Sequence, residues 1–106
     1  MVSFNDFKRL DLRVAKVLSA EPHPSADRLY VLQIDVGDQK KQLVAGLKGY
    51  YSLEDLVGKT IVVVNNLQPA VLRGVESQGM LLAAQDGEKV VCLTTDAEVS
   101  PGSQVL

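Results

Sequence analysis

Apolar positions recur along the chain in short, strand-like stretches. The first runs from Leu12 to Leu18 and breaks at Glu21-Pro22-His23-Pro24-Ser25, where prolines and a serine mark a loop. A second stretch, Arg28 to Val36, puts Tyr30, Leu32, Ile34 and Val36 on one face and Leu29, Val31, Gln33 and Asp35 on the other. Alternation with both faces partly apolar suits a barrel wall that also touches another layer. Gly37-Asp38 turns the chain into a short strand over Gln42 to Ala45. Further strands are predicted over Thr60 to Asn65, Val71 to Val75, Met80 to Ala84 and Lys89 to Leu93, the last two joined by Gln85-Asp86-Gly87-Glu88. Ile61 to Val64 and the apolar run from Met80 read as buried.

Helical signals are confined to two short segments. Ser3 is placed to cap a turn carrying Phe4 and Phe7, which are expected to plug one end of the core or to enter a dimer contact. Ser52 is placed to cap a turn within Tyr50 to Val57, with Asp55 three residues on and Gly58 as the stop. Pro101-Gly102 opens a final loop. No repeat, low-complexity segment or linker interrupts the pattern, so residues 1–106 are expected to form one all-β domain built on a barrel.

A chain of 106 residues with 46% apolar content can bury one core, although at this size a partner would help stabilise it. No apolar run reaches the ~20 residues that span a bilayer. The N-terminus carries Asn5, Asp6, Lys8 and Arg9 where a signal peptide would be apolar, so a soluble cytoplasmic protein without a membrane partner is expected. Cys92 is the only cysteine, which excludes an intrachain disulfide and a thiolate metal cluster; within its strand it reads as a small core residue.

Catalysis finds no support. His23 is the only histidine and sits between two prolines as a loop residue, so no imidazole pair can bind a metal or relay a proton. Asp11, Asp27 and Asp35 are scattered, and Gly46, Gly49 and Gly58 lack the strand-to-helix context of a phosphate loop. No catalytic residue, metal or cofactor is expected.

The segment Asn66 to Ala84, NLQPAVLRGVESQGMLLAA, combines strand patterns with a dense set of polar residues and glycines. It resembles the tRNA-binding domain of the EMAP II type in its N-L-x-P, basic-Gly and S-Q-G-M-x-L pattern. Four more blocks match in the same order: Asp11 to Val17 (DLRVAKV), His23 to Gly37 (HPSADRLYVLQIDVG), Val44 to Leu47 (VAGL) and Asp55 to Lys59 (DLVGK). The resemblance implies an oligonucleotide-binding (OB) fold, a five-stranded Greek-key barrel with short helical turns and terminal extensions. It also implies a homodimer that grips the outer corner of tRNA with little sequence preference. On the matching positions, Asn66, Arg73, Ser77 and Met80 are the expected RNA contacts, with Arg13, Lys16, Arg28, Lys40 and Lys48 as phosphate partners. Asn66 has the alternative of stabilising the turn before Pro69, and Met80 that of core packing.

Charge and aromatic content refine this expectation. The net charge of -2 is unusual for an RNA binder, but the eleven basic residues are unevenly spread, so a basic face opposite an acidic one is expected. There is no Trp, and Tyr30, Tyr50 and Tyr51 are too few and dispersed for a stacking platform, which favours a folded RNA over an extended single strand. Two other roles fit the same resemblance. One is a CsaA-type chaperone, dimeric and of the same fold, which would use an apolar groove. The other is a dimerising appendage of a synthetase catalytic domain, for which the chain would be an excised domain in place of a free-standing protein.

Overall fold

The computed structural model describes residues 1–106. In chain order the elements are α1 (Phe4–Lys8), β1 (Leu12–Pro22), β2 (Tyr30–Asp35), β3 (Lys40–Ala45), α2 (Leu53–Leu56), β4 (Thr60–Val64), β5 (Ala70–Leu72), β6 (Val75–Ser77), β7 (Met80–Leu81), β8 (Ala83–Asp86) and β9 (Lys89–Cys92). Five of the strands form one antiparallel sheet in the order β3-β2-β1-β4-β7. A register shift between Val17 and Ser19 marks an irregularity in β1, and bulges of this kind bend a strand. The first half of β1 lies against β4 (Leu12 opposite Val64) and the second half against β2 (Pro22 opposite Tyr30).

The sheet then nearly closes on itself. Gln78 donates its backbone N–H to the Gln42 carbonyl at 2.8 Å, bringing the β6–β7 junction against β3. The result is a five-stranded, OB-like barrel. Its core contains Leu32, Ile34, Leu43, Ile61 and Val63, all essentially inaccessible, so the predicted inner face of β2 and the β-branched run of β4 are both buried. Cys92 joins this core, and burial pushes its thiol pKa up, which keeps it in the unreactive thiol form. Burial likewise raises Tyr51, whose phenolic oxygen accepts the Cys92 backbone N–H at 2.9 Å.

Both helical turns start where the serines indicate. Ser3 Oγ accepts from Asp6 N and Ser52 Oγ from Asp55 N, each at 3.1 Å. It is α2 that plugs the core, through fully buried Leu56. The expectation that Phe4 and Phe7 plug the core is corrected, because α1 buries nothing within the chain: Phe4 is 72% exposed, with the Lys8 ammonium 5.5 Å from its ring centre. α1 is a single short turn outside the barrel, fastened through Arg9 and Asn66 near the Leu12–Val64 end of the β1–β4 pair, whereas α2 lies by Val17 at the other end.

Two strand expectations and one loop expectation also change. Arg73 (φ +52°) and Gly74 (φ +88°) form a two-residue turn, so Val71 to Val75 is the tip of the β5–β6 hairpin instead of one strand. The apolar run from Met80 divides at Leu82, and Ala83 and Ala84 continue as the exposed β8. The C-terminal segment is more than a loop: Gly102 N–H donates to Val14 O at 2.7 Å, Val14 N–H to Ser103 O at 2.9 Å and Val105 N–H to Leu12 O at 2.9 Å. It fills the side of β1 that β2 does not cover. No helix is long and apolar enough to cross a membrane, and no group of three or more His, Cys, Asp or Glu side chains is placed to hold a metal.

Candidate RNA interface

The outward side of β2 and β3 carries the residues that alternate with the core. Lys16, Asp35 and Lys40 lie opposite one another on three adjacent strands, as do Gln33 and Gln42 two residues further along β2 and β3. Gln33 donates from Nε2 to Gln42 Oε1 at 2.9 Å, and Gln42 donates from Nε2 to the Glu76 carbonyl at 2.8 Å. The face is therefore polar, braced by amides, and carries two lysines about one shared aspartate.

At the other end of β2, the loop between β1 and β2 meets the β5–β6 hairpin, which belongs to the connection from β4 to β7. His23 joins them. Its Nδ1 accepts the Ser25 backbone N–H at 3.0 Å, which leaves the proton on Nε2 to be donated to the Leu72 carbonyl at 2.9 Å. Ser25 Oγ donates to Arg73 O at 3.2 Å, and Arg73 Nη2 donates to Ser25 O at 3.1 Å. Arg28 and Arg73 consequently line one surface cavity of about 400 Å³, together with Ser25, Ala26, Asp27 and Leu29. At ~3.4 Å per residue, β2 itself sets ~17 Å between the Lys16 and Lys40 row and the end of the strand beyond which this pair lies.

Of the nine expected contact residues, the fold groups these four in two pairs. Lys48 is exposed on the β3–α2 connection, beside its bridge to Tyr51, and belongs to neither pair. Arg13 is partnered: Nε meets Asp11 Oδ1 at 2.6 Å and Nη1 donates to Gly102 O at 3.1 Å, so it ties the C-terminal segment to β1. A hydrogen bond from Asn65 holds the Asp11 carboxyl below the usual range against the opposing effect of burial, with Arg13 and the charge of Lys41 adding to it.

Ser77 requires a correction. It is only 5% exposed, its hydroxyl accepts from Val44 N at 3.0 Å and donates to Gly79 O at 3.0 Å, so its one proton is committed inside the barrel and not to an outside phosphate. The S-Q-G pattern is a closure device. Ser77 and Gln78 bond to β3, and Gly79 passes so near β4 that a Cβ would lie 2.9 Å from the Val64 carbonyl oxygen.

Asn66 is also an anchor, although not of the turn before Pro69. Its Oδ1 accepts from Asp11 N and its Nδ2 donates to Arg9 O, both at 2.8 Å, which fastens α1 to the barrel. Asn66→Ala is expected to lower stability by about 1 kcal/mol, because these bonds are at the surface and water replaces them in part. Urea denaturation would check this, and amide exchange in residues 4–10 should accelerate in the variant. Met80 is 48% exposed, so the core-packing alternative is overturned; it borders an apolar groove of about 250 Å³ with Val44, Leu47, Leu81 and Val90.

His23 is the residue that sequence reasoning undervalued. The spacing to Ser25 hints at a local ring-to-backbone bond, but the partner carbonyl, Leu72, is 49 residues away.

Comparison with known families places the chain and its fold. Residues 12–104 match the family described as "Putative tRNA binding domain". The chain belongs to this tRNA-binding domain family. It is 57% identical over 104 residues to the methionine–tRNA ligase of Thermococcus kodakarensis, a match that takes in 98% of this chain and 14% of the ligase. The domain thus spans about a seventh of the length of the curated relatives it matches. Among solved structures, a MetRS-related protein of Pyrococcus horikoshii superposes with a TM-score of 0.93 at 32% identity, covering 100% of this chain and 98% of that one. The chaperone CsaA of Bacillus anthracis superposes with a TM-score of 0.90 at 34% identity, covering 100% and 99%.

Proposed function

We propose that this domain is a non-catalytic module that grips the outer corner of tRNA through its sugar-phosphate backbone. The observation that carries this is the joining of the β1–β2 loop to the β4–β7 connection, which brings Arg28 and Arg73 to one cavity at the end of the β2–β3 face. In OB barrels that face and those two loops are where oligonucleotides bind. The face offers lysines and amides where a single-strand reader offers stacked aromatics, and Tyr30 is buried in the core. Phosphate and ribose contacts to a folded RNA suit such a surface, with Lys16 and Lys40 as the second contact group and Lys48 as a peripheral one.

Filter binding of total tRNA across a salt series tests this. Arg28→Ala and Arg73→Ala are each expected to weaken binding about 3- to 10-fold and to reduce the slope of log affinity against log salt by about 1. Unaltered affinity and slope in both variants would remove this surface from the proposal.

The domain is further proposed to act as a homodimer in the cytoplasm, either free-standing or attached to a synthetase catalytic domain. Support for the dimer comes from the apolar groove beside Met80 and from half-exposed Val91 and Leu93 on and just beyond β9, part of a hairpin outside the main sheet. Pairing would double the phosphate footprint. A monomer in gel filtration at micromolar concentration would count against it. The same groove is what favours the second reading, a chaperone that binds unfolded polypeptide, and competition between total tRNA and an unfolded protein for the domain separates the two.

A further inference from the structure

We infer that His23 is a positioning residue for RNA binding: its two ring nitrogens lock the β1–β2 loop to the β5–β6 hairpin and so hold Arg28 and Arg73 as one phosphodiester clamp. The inference rests on the RNA-binding function proposed above and assigns a part of it to a residue that touches no RNA.

The hairpin needs such a lock. β5 and β6 form a two-stranded sheet of their own, and Ala70, Val71 and Leu72 are all exposed. β6 is held to β3 from Glu76 onward, so it is β5 and the tip that have little burial to keep them in place. Its tip is strained as well, since Arg73 is a non-glycine residue at φ +52°, in the left-handed region where a Cβ is crowded. Strain of this kind persists only where neighbouring contacts determine the geometry. Three bonds do so here: His23 Nε2 to Leu72 O, Ser25 Oγ to Arg73 O and Arg73 Nη2 to Ser25 O. The two involving Arg73 are at the surface, where water competes. His23 is only 6% exposed, so its bond to Leu72 is the one that water cannot easily replace.

The chemistry of the cavity identifies the ligand class. Two guanidinium groups present planar forks of donors that suit phosphate oxygens, and Asp27 in the same cavity leaves one net positive charge. That balance matches the single negative charge of a phosphodiester. Holding both arginines in place beforehand reduces the ordering that binding must supply, which is how a remote residue acquires leverage on affinity.

Paired substitutions of His23 separate positioning from mere folding. In His23→Asn the amide oxygen stands near Nδ1 and keeps the Ser25 bond while the Leu72 bond is lost; in His23→Gln the amide nitrogen reaches toward the Nε2 position and keeps the Leu72 bond. With total tRNA in a salt series, His23→Asn should bind about 5- to 10-fold more weakly, with a salt slope lowered by 1 to 2, while His23→Gln recovers most of the loss. His23→Asn combined with Arg73→Ala should bind within about 2-fold of Arg73→Ala alone, because both act through one clamp. Ser25→Ala, which removes only a surface bond of the same junction, should show a smaller loss of about 2- to 3-fold and keeps the test decisive if His23→Asn fails to fold.

A His23→Asn protein with a lowered melting temperature but wild-type affinity and slope would overturn the inference, as would wild-type binding by Ser25→Ala. In either case a wild-type domain that binds tRNA with a steep salt slope leaves the broader function standing. A wild type with no affinity for tRNA would remove both.

Discussion

Gly102→Ala is expected to destabilise the domain by about 3 to 5 kcal/mol, more than any surface change and comparable to the loss of a large core side chain. At φ +90° the residue already lies where an L side chain is strained, and a Cβ there would sit 2.8 Å from Val36 O and 3.1 Å from Gly37 Cα. Both neighbours are backbone, so neither can rotate away. Relief requires the C-terminal segment to lift from β1, which breaks the bond from Gly102 N–H to Val14 O and frees the Arg13 guanidinium. Gly87→Ala is the appropriate control: it also has positive φ, but its Cβ would meet open space, so it should lose only about 1 kcal/mol. Urea denaturation of the two variants would measure the difference, and equal losses would show that the close backbone approach is unimportant.

Ser77→Ala carries the second large effect, and it falls on stability instead of on RNA. Removing the hydroxyl leaves the Val44 N–H and the Gly79 carbonyl without their partner at a buried site, a loss of about 2 to 4 kcal/mol. The seam between β3 and the β6–β7 junction is where the barrel closes, so the damage is expected to appear as lower cooperativity as well as a lower denaturation midpoint. Measured below its unfolding transition, the variant should keep the wild-type salt slope for tRNA. A variant of full stability and reduced slope would return Ser77 to the contact surface.

Ser77 and Arg73 illustrate how far the sequence reaches. Both belong to one motif and both are polar residues beside glycines, yet one is sealed in a seam and the other stands at an exposed hairpin tip. The distinction depends on where the β4–β7 connection folds over β3, which the neighbours of either residue in the chain do not encode. Arg13 and Asn66 follow the same logic. As sequence they are a cation and an amide near a binding motif; in the fold each is engaged by backbone from a distant segment, at Gly102 for one and at Arg9 and Asp11 for the other. Phe4 and Phe7 fail in the opposite sense, since apolar character alone did not bring α1 within reach of the core.

What the chain determines by itself is local and periodic. Alternation set the inner face of β2, β-branching marked β4, serine hydroxyls started both helical turns, and five ordered blocks identified the family, because side-chain period and capping depend on residues a few positions apart. Tertiary structure alone decided which polar groups remain available. A hydrogen bond such as that from His23 to Leu72 consumes or frees a side chain only once closure of the barrel has brought remote segments within 3 Å, and that distance is a property of the whole fold.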